Sequence, residues 1–288
     1  MNFTKMHGAG NDYVYVNGFV EERDWAKIAV PVSDRHTGVG ADGVIVAMKS
    51  DKADFKMRMF NADGSEGEMC GNGIRCLVAF ARDNHIISSD QNLVSVETAA
   101  GVLKVETIVC DGIMSGAIVD MGKPIFAPVD VPVNLPETFH QDVPTLNFPL
   151  EVSGQEHSLS FVSMGNPHAI SFLNDDVDDF PLTIVGPEVE NHEMFPNRIN
   201  FEIVNVVDEE NLKVRVWERG SGITMACGTG ACAVAVAAQL KGLVGEKVNV
   251  HLPGGKLIIN WKKEAEVMME GPIETVFSGV WLDRDNDD

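Results

Sequence analysis

Two stretches of the chain share a pattern that can do chemistry: MCGNGIRC at 69–76 and ACGTGACA at 226–233. In each, a cysteine (Cys70, Cys227) precedes Gly-x-Gly and then an apolar run of helical length. A cysteine placed just before a helix meets several backbone N–H groups that lack an intrahelical acceptor, and the helix dipole there favours negative charge. That setting makes a thiolate accessible near neutral pH. The same N–H groups can hold a carboxylate, and Gly71, Gly73, Gly228 and Gly230 remove side chains that would keep a ligand off the backbone. Two such turns facing each other would suit the inversion of a stereocentre. One thiolate would take the proton from an α-carbon while the other thiol delivers a proton to the opposite face, and the roles would exchange in the reverse direction. An α-proton is weakly acidic, so N–H donors at the carboxylate and exclusion of water must stabilise the carbanionic transition state.

Other uses of thiols fit less well. A zinc site asks for thiolates or histidines at short spacing, and neither the 70/76 nor the 227/232 pair has the C-x2–4-C form, so no metal is expected. A regulatory dithiol formed by the repeated pair is a non-catalytic alternative. Cys76, Cys110 and Cys232 are expected to be small buried apolar residues.

The elements that must hold these turns follow from the pattern. Strand-like runs with β-branched enrichment recur at 13–20, 43–48, 55–60, 93–98, 102–109, 116–121, 168–173, 200–207, 212–218, 247–252 and 256–261. A short helix is expected over EERDWAKIAV, followed by the Gly-rich loop DRHTGVGAD at 34–42. Helices are expected at 73–84 and 229–242, each opening after a Cys-Gly. The second is apolar around its circumference until Gln239 and Lys241, with Gly242 as its cap, so both are expected to be central helices wrapped by curved sheet.

An internal repeat organises the chain. MRMFNADGSEGEMCGNG (57–73) lies over VRVWERGSGITMACGTG (214–230) without a gap, at a constant offset of 157 residues (58 to 215, 70 to 227). GNDYVYV (10–16) lies over GNPHAIS (165–171) at an offset of 155 (10 to 165). The expected fold is therefore α/β (α+β), with two pseudo-symmetric domains. Residues 1–122 form one, joined by the C-terminal strand 274–288, and residues 123–273 form the other. The Pro-rich stretch at 124–144 is the expected crossing.

With 22 basic against 43 acidic residues the net charge is −21, which repels a phosphate backbone or an anionic membrane surface. No nucleic acid or membrane partner is expected. The sequence shows neither a signal peptide nor a membrane span, and five cysteines do not make a secreted disulfide framework, so a cytoplasmic location is expected.

HGAGNDY (7–13), FNADGSEGEMCGNGIRC (60–76), GNPHA (165–169), RINFEIV (198–204), WERGSG (217–222) and ACGTGACA (226–233) together resemble the diaminopimelate epimerases, in the family's order and over nearly the whole chain. The resemblance implies interconversion of LL- and meso-diaminopimelate without pyridoxal phosphate or any other cofactor, by a homodimer. It implies that each domain is a curved, barrel-like, mostly antiparallel sheet around a central helix. It also implies that Cys70 and Cys227 are the acid–base pair, and that Gly71, Asn72, Gly73, Gly228 and Thr229 hold the reacting carboxylate. Asn11, Asn61, Asn166, Asn200, Glu218 and Arg219 become substrate contacts, with Arg219 suited to a distal carboxylate and Glu218 to an ammonium. His168 and Glu218 become residues that orient a thiol or tune its pKa. Read without the family, Asn11 and Asn61 are equally turn residues and His168 a core or surface histidine. Gly43 stands where some members carry Gln, and no role is assigned to it. Cys-Gly-x-Gly alone is shared with proline racemase-like relatives, so another cofactor-independent amino acid racemase is the enzymatic alternative.

Overall fold

The computed structural model describes residues 1–67, 69–139 and 144–282. The chain divides into two compact units, Met1–Val119 with Gly271–Asp288, and Asp120–Glu270. Residues 140–143 of the expected crossing and 283–288 of the expected C-terminal strand lie outside the described residues.

The first unit contains β1 (Asn2–Gly8), β2 (Asn11–Asn17), α1 (Trp25–Ser33), β3 (Gly43–Met48), β4 (Phe55–Asn61), β5 (Glu66–Gly67), α2 (Gly71–Asp83), β6 (Leu93–Thr98), β7 (Gly101–Cys110), β8 (Ile113–Asp120) and the late strand β18 (Glu274–Val280). Its strands lie in the order β18-β1-β2-β3-β4-β6-β7-β8, with β5 on β4. The pairs β2–β3 and β4–β6 are parallel and the rest antiparallel. Both parallel pairs enclose a helix, as a crossover requires: α1 after β2 and α2 after β4.

The second unit contains β9 (Phe148–Val152), β10 (Gln155–Ser163), β11 (Pro167–Phe172), α3 (Leu182–Glu190), β12 (Asn200–Asp208), β13 (Asn211–Glu218), β14 (Gly222–Ile223), α4 (Gly228–Leu240), β15 (Lys247–Leu252), β16 (Gly255–Trp261) and β17 (Val267–Pro272). Its order is β9-β10-β11-β12-β13-β15-β16-β17, again with two parallel pairs, β11–β12 and β13–β15, around the two helices. The internal repeat is thus a repeat of topology, strand for strand.

Each unit has two apolar layers. Val14, Val16, Val44 and Val46 pack outward under α1 with Trp25, Ala29 and Val32. Period-two alternation then sends Tyr13, Tyr15 and Ile45 to the other face, toward α2, where the Tyr15 hydroxyl donates to the Gly73 carbonyl at 3.2 Å. In the second unit Ala169, Phe201 and Ile203 pack with Leu182, Val185 and Val189 of α3, which leaves His168 and Glu202 on the face of α4. Strands buried on both faces explain the unbroken apolar runs of the sequence.

Helix α4 is buried without interruption from Gly230 to Ala238 and touches β10, β11, β12, β13, β15 and β16. A flat sheet covers only one side of a helix, so this sheet curls around it. Helix α2 is buried from Gly71 to Ala81 and touches β1, β2, β3 and β7 in the same way. Lys241 caps α4, and Gly242 follows with φ +71°, its N–H donating to the Gln239 carbonyl, a conformation glycine adopts at no steric cost.

Cys76 and Cys232 are buried on these helices, but Cys110 is exposed, contrary to the expectation for it. It ends β7 at the hairpin into β8, where Asp111 and Gly112 take positive φ and the chain turns away from the core. Burial pushes the Cys76 thiol up to about 11 from 9.0. The unfolded chain therefore ionises this thiol first, and stability is lost as pH rises from about 9 to about 11. Cys76→Ala is expected to remove about 1.4 kcal/mol per pH unit of slope from denaturant-derived stability in that window. An unchanged slope would show that Cys76 does not titrate on unfolding.

No helix among the described residues is long and apolar enough to cross a membrane.

Candidate active site

Each unit carries one candidate site, built around a cysteine in the capping position of its central helix. Cys70 has φ −132° and ψ 116°, and Cys227 has φ −115° and ψ 115°. Both are extended, and both Sγ atoms accept the N–H of the third helical residue at 3.3 Å, from Gly73 and from Gly230. The thiols thus occupy the place of an N-cap oxygen. Cys70 is half-buried and Cys227 buried.

In the first unit the Cys70 thiol also donates to Asn11 Oδ1 at 3.1 Å. Asn11 opens β2, and its amide is fixed from behind by Nδ2 donating to Asp42 Oδ2 at 2.6 Å. Asp42 is in turn paired with Arg35 at 2.8 Å. Arg75 is fully buried one turn into α2 and donates to the Gly71 carbonyl at 3.1 Å and to Asn72 Oδ1 at 3.0 Å, so it holds the Gly71–Gly73 turn in shape. Asn61 ends β4 and donates through Nδ2 to Ser65 Oγ at 3.0 Å. Tyr13 lies buried on the inner face, and burial, followed by Cys70, pushes its phenol well above the ordinary value.

In the second unit the contacts of Cys227 form a chain. Cys227 Sγ lies 3.4 Å from Thr229 Oγ1, which accepts Asn166 Nδ2 at 3.2 Å. Asn166 Oδ1 is 3.0 Å from His168 Nε2, and His168 Nδ1 is 2.7 Å from Glu202 Oε1. His168 and Glu202 are both fully buried. Burial pushes the Cys227 thiol well above its ordinary value, with Glu218 and Glu202 adding to the effect and the Thr229 hydroxyl and Gly230 N–H opposing it. The resting group is therefore the neutral thiol, a proton donor.

Asn200, Glu218 and Arg219 form a further set in this unit. Both ends of the Asn200 amide are taken by backbone: Nδ2 donates to the Pro167 carbonyl at 2.8 Å and Oδ1 accepts the Arg219 N–H at 2.9 Å. Asn200 thereby ties the GNP turn before β11 to the ERG turn after β13. Thr224 donates to Glu218 Oε1. Arg219 is exposed, with Nη1 donating to the Asn197 carbonyl at 3.1 Å. Glu190, near the end of α3, accepts from Trp217 Nε1 at 2.7 Å and from the Gly220 N–H at 2.8 Å, which fixes the start and end of the same turn.

Glu202, Asp42, Arg75 and Glu190 are absent from the expectations drawn from sequence. The one signal available for Glu202 is an acid inside the apolar run NFEIV, on the face opposite Phe201 and Ile203. Gly43, which opens β3, is pressed against β4: a Cβ there would lie 2.2 Å from the Phe60 carbonyl oxygen. The backbone as it stands admits no side chain at that position.

A sequence profile described as diaminopimelate epimerase matches residues 3–127 and 160–276. The diaminopimelate epimerase of Acetivibrio thermocellus is 50% identical over 282 residues, covering 97% of this chain and 98% of the relative. That of Bacillus cereus is 46% identical over 285 residues, covering 97% and 96%. Among solved structures, a hydroxyproline epimerase from Agrobacterium vitis has a TM-score of 0.67 at 16% identity, covering 97% of this chain and 90% of that one. A phenazine biosynthesis protein of Bacillus anthracis has a TM-score of 0.66 at 14% identity, covering 98% and 99%. These distant structures share the fold, whereas the two sequence relatives agree with this chain at about every second residue along almost its whole length. The chain belongs to the diaminopimelate epimerase family.

Proposed function

We propose that this protein interconverts LL- and meso-diaminopimelate by a two-base mechanism, with Cys70 and Cys227 acting from opposite faces of one α-carbon. The observation that carries this reading is the duplicated cap: two thiols, one per unit, each at the start of a buried helix and each accepting one N–H at 3.3 Å. An enzyme inverting a carbon needs two matched groups, and a repeat of topology supplies them from one design. In either direction one sulfur takes the α-proton and the other returns a proton to the opposite face, so the substrate gains and loses one proton. The helix-start N–H groups of Gly71–Gly73 and Gly228–Gly230 hold the reacting carboxylate and draw off charge as the carbanion develops.

The remaining named residues serve the substrate's ends. Arg219, exposed at the ERG turn, takes the distal carboxylate and Glu218 an ammonium, while Asn11, Asn61, Asn72, Asn166, Asn200 and Thr229 complete or support the lining. His168 orients the Cys227 side through Asn166, and the proposal names no cofactor and no metal. A cytoplasmic homodimer is part of the same reading; family membership supports it, and size-exclusion chromatography tests the dimer.

The deciding experiment is turnover of the LL isomer in deuterated water, read by chiral chromatography and mass spectrometry. Each molecule of meso product is expected to carry one solvent deuterium at the inverted centre, while remaining LL substrate carries little at early times. Conversion of proline or hydroxyproline in place of diaminopimelate would overturn the substrate assignment. Meso product without deuterium would overturn the two-base chemistry.

A further inference from the structure

The two candidate sites share a backbone but not an inner lining. At the offsets of the repeat, Tyr13 stands where His168 stands, Ile45 where Glu202 stands (45 to 202) and Asn72 where Thr229 stands (72 to 229). In the first unit the residue facing the helix turn is apolar: a Cβ on Gly73 would lie 2.5 Å from Ile45 Cδ1. In the second it is ionisable: a Cβ on Gly230 would lie 2.7 Å from Glu202 Oε1. An acid with no solvent exposure is costly to hold in a sheet, and Glu202 Oε2 has no hydrogen-bond partner. Such a group persists where something depends on it.

Hydrogen-bond directions along the chain say what that is. Asn166 Nδ2 donates to Thr229 Oγ1, so Asn166 presents Oδ1, an acceptor, to His168 Nε2. His168 must then carry a proton on Nε2. Its Nδ1 meets Glu202 Oε1 at 2.7 Å, a contact that needs one proton between them, whichever atom holds it. With Nε2–H fixed, His168 donates to Asn166 and Asn166 to Thr229, which leaves the Thr229 hydroxyl proton to be given to Cys227 Sγ once that sulfur is a thiolate. Sulfur then receives two donors, Thr229 O–H and Gly230 N–H, which favour the thiolate that must form when Cys227 gives up its proton.

We propose that Glu202 is a positioning residue for Cys227: it holds His168 in the form protonated on Nε2, and so aims a hydroxyl proton at the Cys227 sulfur through Asn166 and Thr229. Cys70 is set differently: Asn11 offers its sulfur an acceptor, Oδ1, and Tyr13, the counterpart of His168, lies beside it. The repeat therefore gives two thiols of unequal character. The proposal rests on reading Cys227 as an acid–base thiol.

The test measures the thiol itself, without substrate. In a Cys70→Ala background, the rate of Cys227 alkylation by iodoacetamide is followed against pH. Glu202→Leu leaves Nδ1 without its partner and is expected to raise the midpoint by about one pH unit. Glu202→Gln can donate an amide N–H to Nδ1 and keep the proton on Nε2 while it removes the negative charge that pushes the thiol up, so its midpoint is expected at or below that of the parent. Thr229→Val, at a half-buried position, breaks the last link and is expected to raise the midpoint as Glu202→Leu does. Glu202→Leu combined with Thr229→Val is expected to shift it no further than the larger single change, because both cut one chain.

The signs separate the rivals. Glu218 and Glu202 are the charged groups facing Cys227 from the strands, and His168 the neighbouring titratable one. A purely electrostatic Glu202 would lower the midpoint in both Leu and Gln variants, and a merely structural one would move neither. Either result overturns the proposal. If Glu202→Leu does not fold, a raised midpoint in Glu202→Gln or an unmoved one in Thr229→Val overturns it equally. Failure of the parent enzyme to epimerise diaminopimelate would strike the functional reading alone, since the alkylation assay uses no substrate.

Discussion

Cys70→Ala and Cys227→Ala are each expected to lower interconversion of the two isomers by about 10⁴-fold, the upper range for loss of one positioned acid or base. Neither should unfold the protein. The thiol in each case replaces an N-cap oxygen with a single N–H contact, so its removal costs about 1 kcal/mol or less, measurable by thermal melting. The sharper expectation concerns exchange without inversion. A variant retaining one thiol can still take a proton from the face it addresses and return solvent hydrogen to that same face. In deuterated water the Cys227→Ala enzyme is expected to wash the α-hydrogen out of one isomer, and the Cys70→Ala enzyme out of the other. Both variants exchanging the same isomer would falsify the assignment of one face to each thiol. Cys110→Ala serves as the control: exposed at the end of β7, it should leave the rate unchanged.

The resting protonation of Cys227 has a consequence for the same experiments. Burial, Glu218 and Glu202 hold this thiol neutral, so the direction of reaction in which Cys227 must first act as base draws on a scarcer form of the enzyme. The equilibrium between the two isomers does not depend on pH, so kcat/KM should follow one pH profile in both directions, climbing as a thiolate forms through the neutral and mildly alkaline range.

How far the sequence could be read is itself a matter of packing. The central helices were legible because nothing polar interrupts Gly73–Ala81 except Arg75, or Gly230–Ala238 at all, and the strands β2, β3 and β12 because they are apolar on both faces. β1 escaped notice since NFTKMHG mixes a buried lysine with alternating polar residues; Lys5 is held inside by Asp12 and the Gly40 carbonyl. α3 was hidden by Gly186 and Pro187, poor helix residues. The glycine is there because Trp217 lies flush against the helix: a Cβ would meet its ring at 2.6 Å. β9, β10 and β17 escape notice because edge positions and polar faces blur the period of two, whereas β18 falls within the expected C-terminal strand. At the site, the cysteines and glycines carried their chemistry in their spacing. Asp42, Glu190 and Glu202 did not, because each acts on a residue distant in sequence, Asn11, Trp217 and His168, and only the sheet brings them together.

Gly230→Ala and Gly73→Ala place the same methyl group at equivalent positions and are expected to give unequal results. In both helices the added Cβ lies over the cap, 3.2 Å from Cys227 Sγ in one and 3.5 Å from Cys70 Sγ in the other. In α2 the remaining obstacle is Ile45 Cδ1, the free end of an apolar side chain, which can rotate within a buried layer at a cost of about 1–3 kcal/mol. In α4 the obstacle is Glu202 Oε1, which has no solvent to retreat into and is tied to His168 at 2.7 Å. Moving it breaks a buried polar pair, which costs about 3–5 kcal/mol. Denaturant melts should therefore separate Gly230→Ala from Gly73→Ala by about 2 kcal/mol. Activity should diverge as well, since displacing Glu202 frees His168 and shifts the Cys227 cap, and a misplacement of about 1 Å in a reacting group costs about 10²-fold in rate. The double variant Gly230→Ala with Glu202→Ala opens space for the methyl and is expected to recover stability relative to Gly230→Ala but not activity. Recovery of both would mean that the glycine is required for room alone and that Glu202 contributes nothing to the thiol it stands behind.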